Sequence, residues 1–274
     1  MTHALDGVIA KLERADGHIK NLNDEIGAFI ESNYRIVSKP DDDPNTSVIS
    51  IVGPDPPLRF PVIVGEIVHQ FRSSLNHVIW QLVLANGKVP NRNHQFPICD
   101  SSEKFEKARK HGNIRGITPA AASLVEQSQP YWQIRRGQRL ASSKLRILRE
   151  VNDTDKHKLM MIVVAQTGGA GAATLTIGRS TEGDKSPITI VGLGPPPKGP
   201  LRPTEEGAAF LTMHFGEPQP DVQVTGKVPI QIVFGDCGPD LTALNQIPVI
   251  HIVQQLRDRV ATLINSFVKE FPTR

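Results

Sequence analysis

The sequence predicts an α+β protein, mainly helical, with an antiparallel β-rich region before a C-terminal helix. Three observations carry that expectation. Apolar residues recur at three- and four-residue spacing over long stretches near both ends of the chain. Residues 159–240 instead hold short β-branched runs separated by Gly, Pro and charged turns. Helices, sheet and helix come in blocks and do not alternate, which argues against a parallel α/β layout. The expected organisation is a helical bundle over 1–158 with a β-hairpin at about 34–53, a β-rich region over 159–240, and a helix in 241–274 packed back on the bundle.

The first helix is defined by Leu5, Val8, Leu12, Ala15, Ile19, Leu22, Ile26 and Phe29, a heptad seam of about four heptads. YRIVS and SVISIV flank PDDDPN, which is turn chemistry between two strands. PDPP at 54–57 punctuates before a helix over 61–86. Residues 87–100 read as loop. SSEKFEKARKHG at 101–112 has a Ser cap, an early Glu and a terminal Gly, so it predicts a short helix. Thr118-Pro119 opens another, expected to stop before Pro130. A further helix is expected over 138–151, with Leu140, Ile147, Leu148 and Val151 on one face and Arg139, Arg146 and Arg149 opposite. LMMIVVAQ, AATLTIG, PITIVGL, AAFLTMHF and VPIQIVFG are the candidate strands. The loop 168–173 is Gly-rich without a phosphate-binding Lys, and 192–203 is a proline-stiffened linker. Pro248 opens the last helix, with Ile252, Leu256, Val260, Leu263 and Phe267 along one side.

Hydrophobic residues make up 39%, enough for a core without metal or disulfide support. The net charge of +3 is too mild to imply nucleic acid by itself, so local charge must decide. Two cysteines, Cys99 and Cys237, make no disulfide framework or zinc pattern and fit a reducing compartment. The N-terminus lacks the marks of a secretory signal, and no stretch reaches the length of a membrane span. The expectation is a cytoplasmic protein with no membrane association.

The chemistry-bearing segment is PVIVGEIVHQFRSSLNHVIWQLVLAN, 61–86. Val64, Ile67, Val68, Phe71, Leu75, Val78, Ile79 and Leu82 repeat at helical spacing. Between them lie Glu66, His69, Arg72, Ser73, Asn76 and His77, a polar seam in which every group needs a partner or water. Arg72 is a permanent cation able to clamp a phosphate, and His77 can move protons near neutral pH. VNDTDKHK at 151–158 adds Asp153, Asp155 and His157, candidates to orient a histidine in the same cleft. Equally, the motif can be a helix end whose Lys and His meet the dipole.

Arg72 and His77, in RSSLNH at 72–77, resemble the Arg-x4-His motif of HEPN-type domains. That resemblance implies a helical bundle, often dimeric, acting as a metal-independent endoribonuclease or an RNA-binding toxin-like protein. It implies that His77 handles the proton of a ribose 2′-hydroxyl and that Arg72 stabilises charge on the phosphate. Glu66, His69, Ser73, Asn76, Asp155 and His157 are the supporting residues. With Asp155-Lys156-His157, the chain also resembles a group of uncharacterised bacterial proteins that share such a seam.

Residues 135–150 hold six Lys or Arg against one Glu. Arg139, Arg146 and Arg149 form a candidate RNA-binding stripe, with Tyr131 and Trp132 as candidate stacking residues. An ordinary solvated face explains the same charges. Glu66-x-x-His69 lacks the second copy a di-metal site needs, and His3, His18, His94, His111, His214 and His251 show no ligand spacing, so no metal or cofactor is expected. No Walker loop, Gly-x-Ser-x-Gly or His-Glu-x-x-His is present in the sequence. Two functions fit. One is an endoribonuclease or RNA-binding protein using Arg72 and His77, with RNA as partner. The other is a non-catalytic structural or interaction protein whose seam is an internal hydrogen-bond network. The heptad seam and the apolar last helix lead to the expectation of a two-fold homodimer.

Overall fold

In the computed structural model, the described residues are 4–135, 137, 139–166, 174–178, 188–191, 208–215, 223–227 and 230–271. His3, the Gly-rich loop 168–173 and the linker 192–203 lie outside them.

The heptad seam forms α1, Asp6–Asn33, and buries Val8, Leu12, Ala15, Ile19, Leu22 and Ile26. The polar-seam segment forms α2, Arg59–Ala85. The two run antiparallel, and four pairings set their register. Gly7 lies under the His77 ring, the Lys11 ammonium donates to Ser73, His18 approaches Glu66 at 3.7 Å, and Arg59 meets Glu25 at 2.9 Å. Each step up α1 is matched by an equal step down α2. These residues edge the interface, while the heptad positions fill it. Gly7 is small for a reason: a Cβ there would stand 2.7 Å from His77 Cε1.

Next come α3, Ser102–His111, and α4, Pro119–Gln127. Ser101 caps the first by accepting from the Lys104 N–H, and Gly112 closes it at φ 96°. Thr118 caps the second by accepting from the Ala121 N–H. Pro130 does stop α4, but it also opens a short helix, α5, Pro130–Arg135, that the sequence reading did not include. Proline suits a first helical turn because the N–H it lacks would have no partner there.

The single helix expected over 138–151 is two pieces. A 3-10 turn, Leu140–Ser142, precedes α6, Lys144–Asp155. Arg139 and Ser143 are both extended, at ψ 137° and 118°. Arg139 therefore shares no helix face with Arg146 and Arg149. The last helix, α7, spans Val249–Phe267 and buries Ile252, Leu256, Val260, Leu263 and Phe267 as expected. α2 is the hub, packing on α1, α6 and α7.

The strands are β1 Arg35–Pro40, β2 Thr46–Val52, β3 Ile162–Gln166, β4 Thr174–Gly178, β5 Ile188–Val191, β6 Ala208–His214, β7 Gln223–Lys227 and β8 Ile230–Phe234. All described pairings are antiparallel, but they build three small sheets, β1-β2-β6, β3-β8 and β5-β4-β7. The hairpin β1-β2 recruits β6 from beyond residue 158, so the sheet crosses the expected boundary. β7 went unnoticed because QVTGK is half polar and contains Gly. Its ladder with β4 makes it a strand. One cluster of buried side chains joins α1, α2, α6 and α7 to Val164 of β3 and Ile232 and Phe234 of β8. The apolar seams of α1 and α7 are filled within the chain. Among the described residues no helix is long and apolar enough to cross a membrane.

Candidate functional site

α2 is buried on most sides but not all. Val62, Glu66, His69, Trp80 and Leu84 are exposed, with Arg72, Ser73, Asn76 and His77 partly so. At 100° per residue these positions form one open strip, walled by α1 on one side and by α6 on the other.

Arg72 and His77 lie about 140° apart around the helix, at opposite edges of that strip. His77 faces α1. Its Nε2 stands 3.0 Å from the Gln81 amide nitrogen, and its Nδ1 is buried without a hydrogen-bond partner. Burial, and then the Lys11 ammonium, hold its pKa below the usual imidazole value. Arg72 faces the α6 side, near Asp153, Cys99 and Arg149. Burial brings its pKa down to about 10, partly offset by Asp153, so it stays cationic at neutral pH. Its Nη1 is buried and unpartnered. The carboxylate that acts on Arg72 is Asp153.

Two of the other seam residues, Asn76 and Ser73, are engaged within the chain. Asn76 accepts from the Phe96 N–H at 3.0 Å and pins the loop before α3. Ser73 accepts from Lys11. His157 is exposed. Asp153 pairs with Lys156 at 2.9 Å.

Three supporting residues do come together, away from both Arg72 and His77. Glu66, His69 and Asp155 line a cleft of about 500 Å³ with Arg14, His18, Val62, Gly65, Gln70 and Leu159. The Asp155 carboxylate rests directly on Gly65, where any Cβ would overlap it. Burial raises its pKa, and His69 partly offsets this. Arg14 and His18 escaped the sequence reading. The signal was present, since both lie on the α1 face that carries Gly7 and Lys11. Among the described residues no group of three or more His, Cys, Asp or Glu is arranged to hold a metal ion.

The proposed RNA contacts do not form one surface. Arg149 is drawn inward, donating to the Ile98 carbonyl at 3.0 Å and to Asp100 at 2.7 Å, and pairing with Glu150. Arg146 is largely buried, 3.7 Å from Asp240. Arg139 is exposed on its own segment. Tyr131 is 6% exposed and donates to Glu126, and its ring lies 6.5 Å from that of Trp132, which packs against the core. Periodicity placed the arginines, but carboxylates engage Arg146 and Arg149.

No family model, curated protein or solved structure matches this chain.

Proposed function

We propose that the chain is a non-catalytic structural or interaction protein in which the polar seam of α2 is an internal network. The supporting observation is the divergence of Arg72 and His77, one turned to the α6 side and the other to α1. A phosphate held at one edge of the strip is not positioned by the other. Their inward nitrogens, Arg72 Nη1 and His77 Nδ1, are closed to solvent. Asn76, Ser73 and Ser74 meanwhile tie α2 to its surroundings and to itself.

A second reading keeps the metal-independent endoribonuclease, or an RNA-binding relative of it. Two observations favour it. His77 is held as the free base, the form that accepts a 2′-hydroxyl proton, and Arg72 carries a donor with nothing to bind. A second copy laid over the strip, where Trp80 and Leu84 are exposed, would complete a cleft of the kind the HEPN resemblance implies.

Labelled-RNA cleavage in a chelator, run beside light scattering, separates the two. The first reading expects a monomer mass, no cleavage by the parent, and effects of His77→Ala and Arg72→Lys on melting alone. A dimer whose cleavage falls by ~10²-fold or more on His77→Ala establishes the second.

A further inference from the structure

The cleft between α1, α2 and the end of α6 is the place where the chain leaves polar groups unused. Among the described residues no side-chain hydrogen bond joins Arg14, His69 or Asp155 to a neighbour, and Asp155 is met only by the electrostatic pull of His69. Glu66 has only the 3.7 Å approach of His18. For exposed side chains alone this would be ordinary solvation. Asp155 differs. Its carboxylate is pressed on the α2 backbone at Gly65, and burial disfavours its charged form. A carboxylate held where ionisation is penalised lowers fold stability, and such costs are typical of binding sites.

The lining is also segregated by chemistry. Arg14 supplies a planar cationic fork from α1. Asp155 supplies negative charge from the end of α6, over Gly65, while Glu66 lies at the α1 edge beside His18. Val62 and Leu159, 45% and 47% exposed, form an apolar lip. His18, His69 and Gln70 provide further polar groups along the lining. A purely anionic ligand would meet the two carboxylates, and a purely cationic one would meet Arg14.

We propose that this cleft binds a small zwitterion, its ammonium against Asp155, its carboxylate or phosphate on Arg14, and its aliphatic body along Val62 and Leu159. The site is independent of both readings of Arg72 and His77, because neither lines it. Gly65 is the size gate that lets the Asp155 carboxylate lie flat on α2. No bond is made or broken, and the chemistry is recognition alone.

The test is calorimetric titration of the full chain with a ladder of ω-amino acids from β-alanine to 6-aminohexanoate, which scans the span between the two charged ends. Pentylamine and valerate are the single-charge controls, and phosphoethanolamine tests phosphate in place of carboxylate. One or two rungs should bind at least about tenfold more tightly than either control, the factor one ion pair in a cleft contributes. Asp155→Asn and Arg14→Ala should each lose at least about that factor. Asp155→Asn should melt no lower than the parent, since it removes a penalised charge. Gly65→Ala, which displaces the carboxylate, should lose binding too. If it fails to fold, the Asp155→Asn and Arg14→Ala results decide. Controls that bind as well as every rung, affinity unchanged in Asp155→Asn, or no heat from any ligand at millimolar concentration would each overturn the proposal.

Discussion

At the scale of single residues, the surroundings of each seam group decide what it can do. His77 is a half-buried imidazole over Gly7, its pKa held below the usual value by burial and by Lys11. Because its folded pKa lies below the unfolded value of 6.5, the unfolded chain takes up the proton first. The contribution of the neutral ring is intact above that value and is lost as pH falls through it towards the folded pKa. His77→Gln should therefore flatten the fall in melting temperature between about pH 7.5 and 5. Identical pH profiles for parent and variant would refute this account. Arg72 makes a different case. Removing one member of a buried ion pair ordinarily costs about 3–5 kcal/mol. Asp153, however, is solvent-exposed and keeps Lys156, while Arg72 Nη1 is buried without a partner. Arg72→Met should accordingly change stability by less than about 1 kcal/mol in denaturant melts, within the range of well-packed apolar replacements. A loss of several kcal/mol would mean that Arg72 has partners this geometry does not contain.

Elements add what single residues cannot, since a helix end can serve two purposes. Ser101 acts within its own helix turn, accepting from the Lys104 N–H and hydrogen-bonding the Glu103 side chain. Thr118 caps α4 and also donates to Glu270, just beyond α7, at 2.8 Å. Ser101→Ala should cost about 0.5–1 kcal/mol, and Thr118→Ala about 1–2 kcal/mol. Urea unfolding of the two variants measures the difference, and equal losses would show that the tie to Glu270 adds nothing. Between α5 and α6 the chain breaks at Arg139 and Ser143, and the arginine stripe goes with it. Arg149 is then a strut, holding the Ile98 carbonyl, Asp100 and Glu150 at once. Arg149→Ala should lower stability by about 2–4 kcal/mol, because buried acceptors and a carboxylate are left behind. Full stability, with RNA affinity lost instead, would return this residue to a solvent-facing role.

For the whole molecule, one core reaches from the N-terminal helix to the end of α7 and takes in β3 and β8. Phe71 of α2 and Phe234 of β8 are both fully buried in it. Each, changed to Ala, should cost about 3–5 kcal/mol and shift the same cooperative transition. A separate transition moved by Phe234→Ala alone would show that the strands around β8 unfold on their own. The cluster also bears on assembly. The seams of α1 and α7 that led to the expectation of a dimer bury their apolar residues against their own chain. The exposed apolar side chains of α2 are Val62, near its start, and Trp80 and Leu84, near its end.

The sequence by itself determined the fold class, the hairpin, most of the helices and their caps, because these rest on local signals. Apolar spacing marks a buried face whatever lies opposite it, and Ser101, Thr118 and Pro119 act within one turn. It also named the members of the polar seam. What it left open was which of them meet, and only tertiary structure decided that. Arg72 and His77 share a helix, yet the helices packed on either side turn them apart. Glu66 and His69 are neighbours on α2, but Asp155 is distant along the chain, and it joins them because the end of α6 lies on Gly65. The arginines were legible as a charge excess, but whether a cation faces solvent or a carboxylate depends on segments far away in sequence. Asp100 and Asp240 reach Arg149 and Arg146 only once the chain has folded, and no periodicity along one helix encodes that encounter.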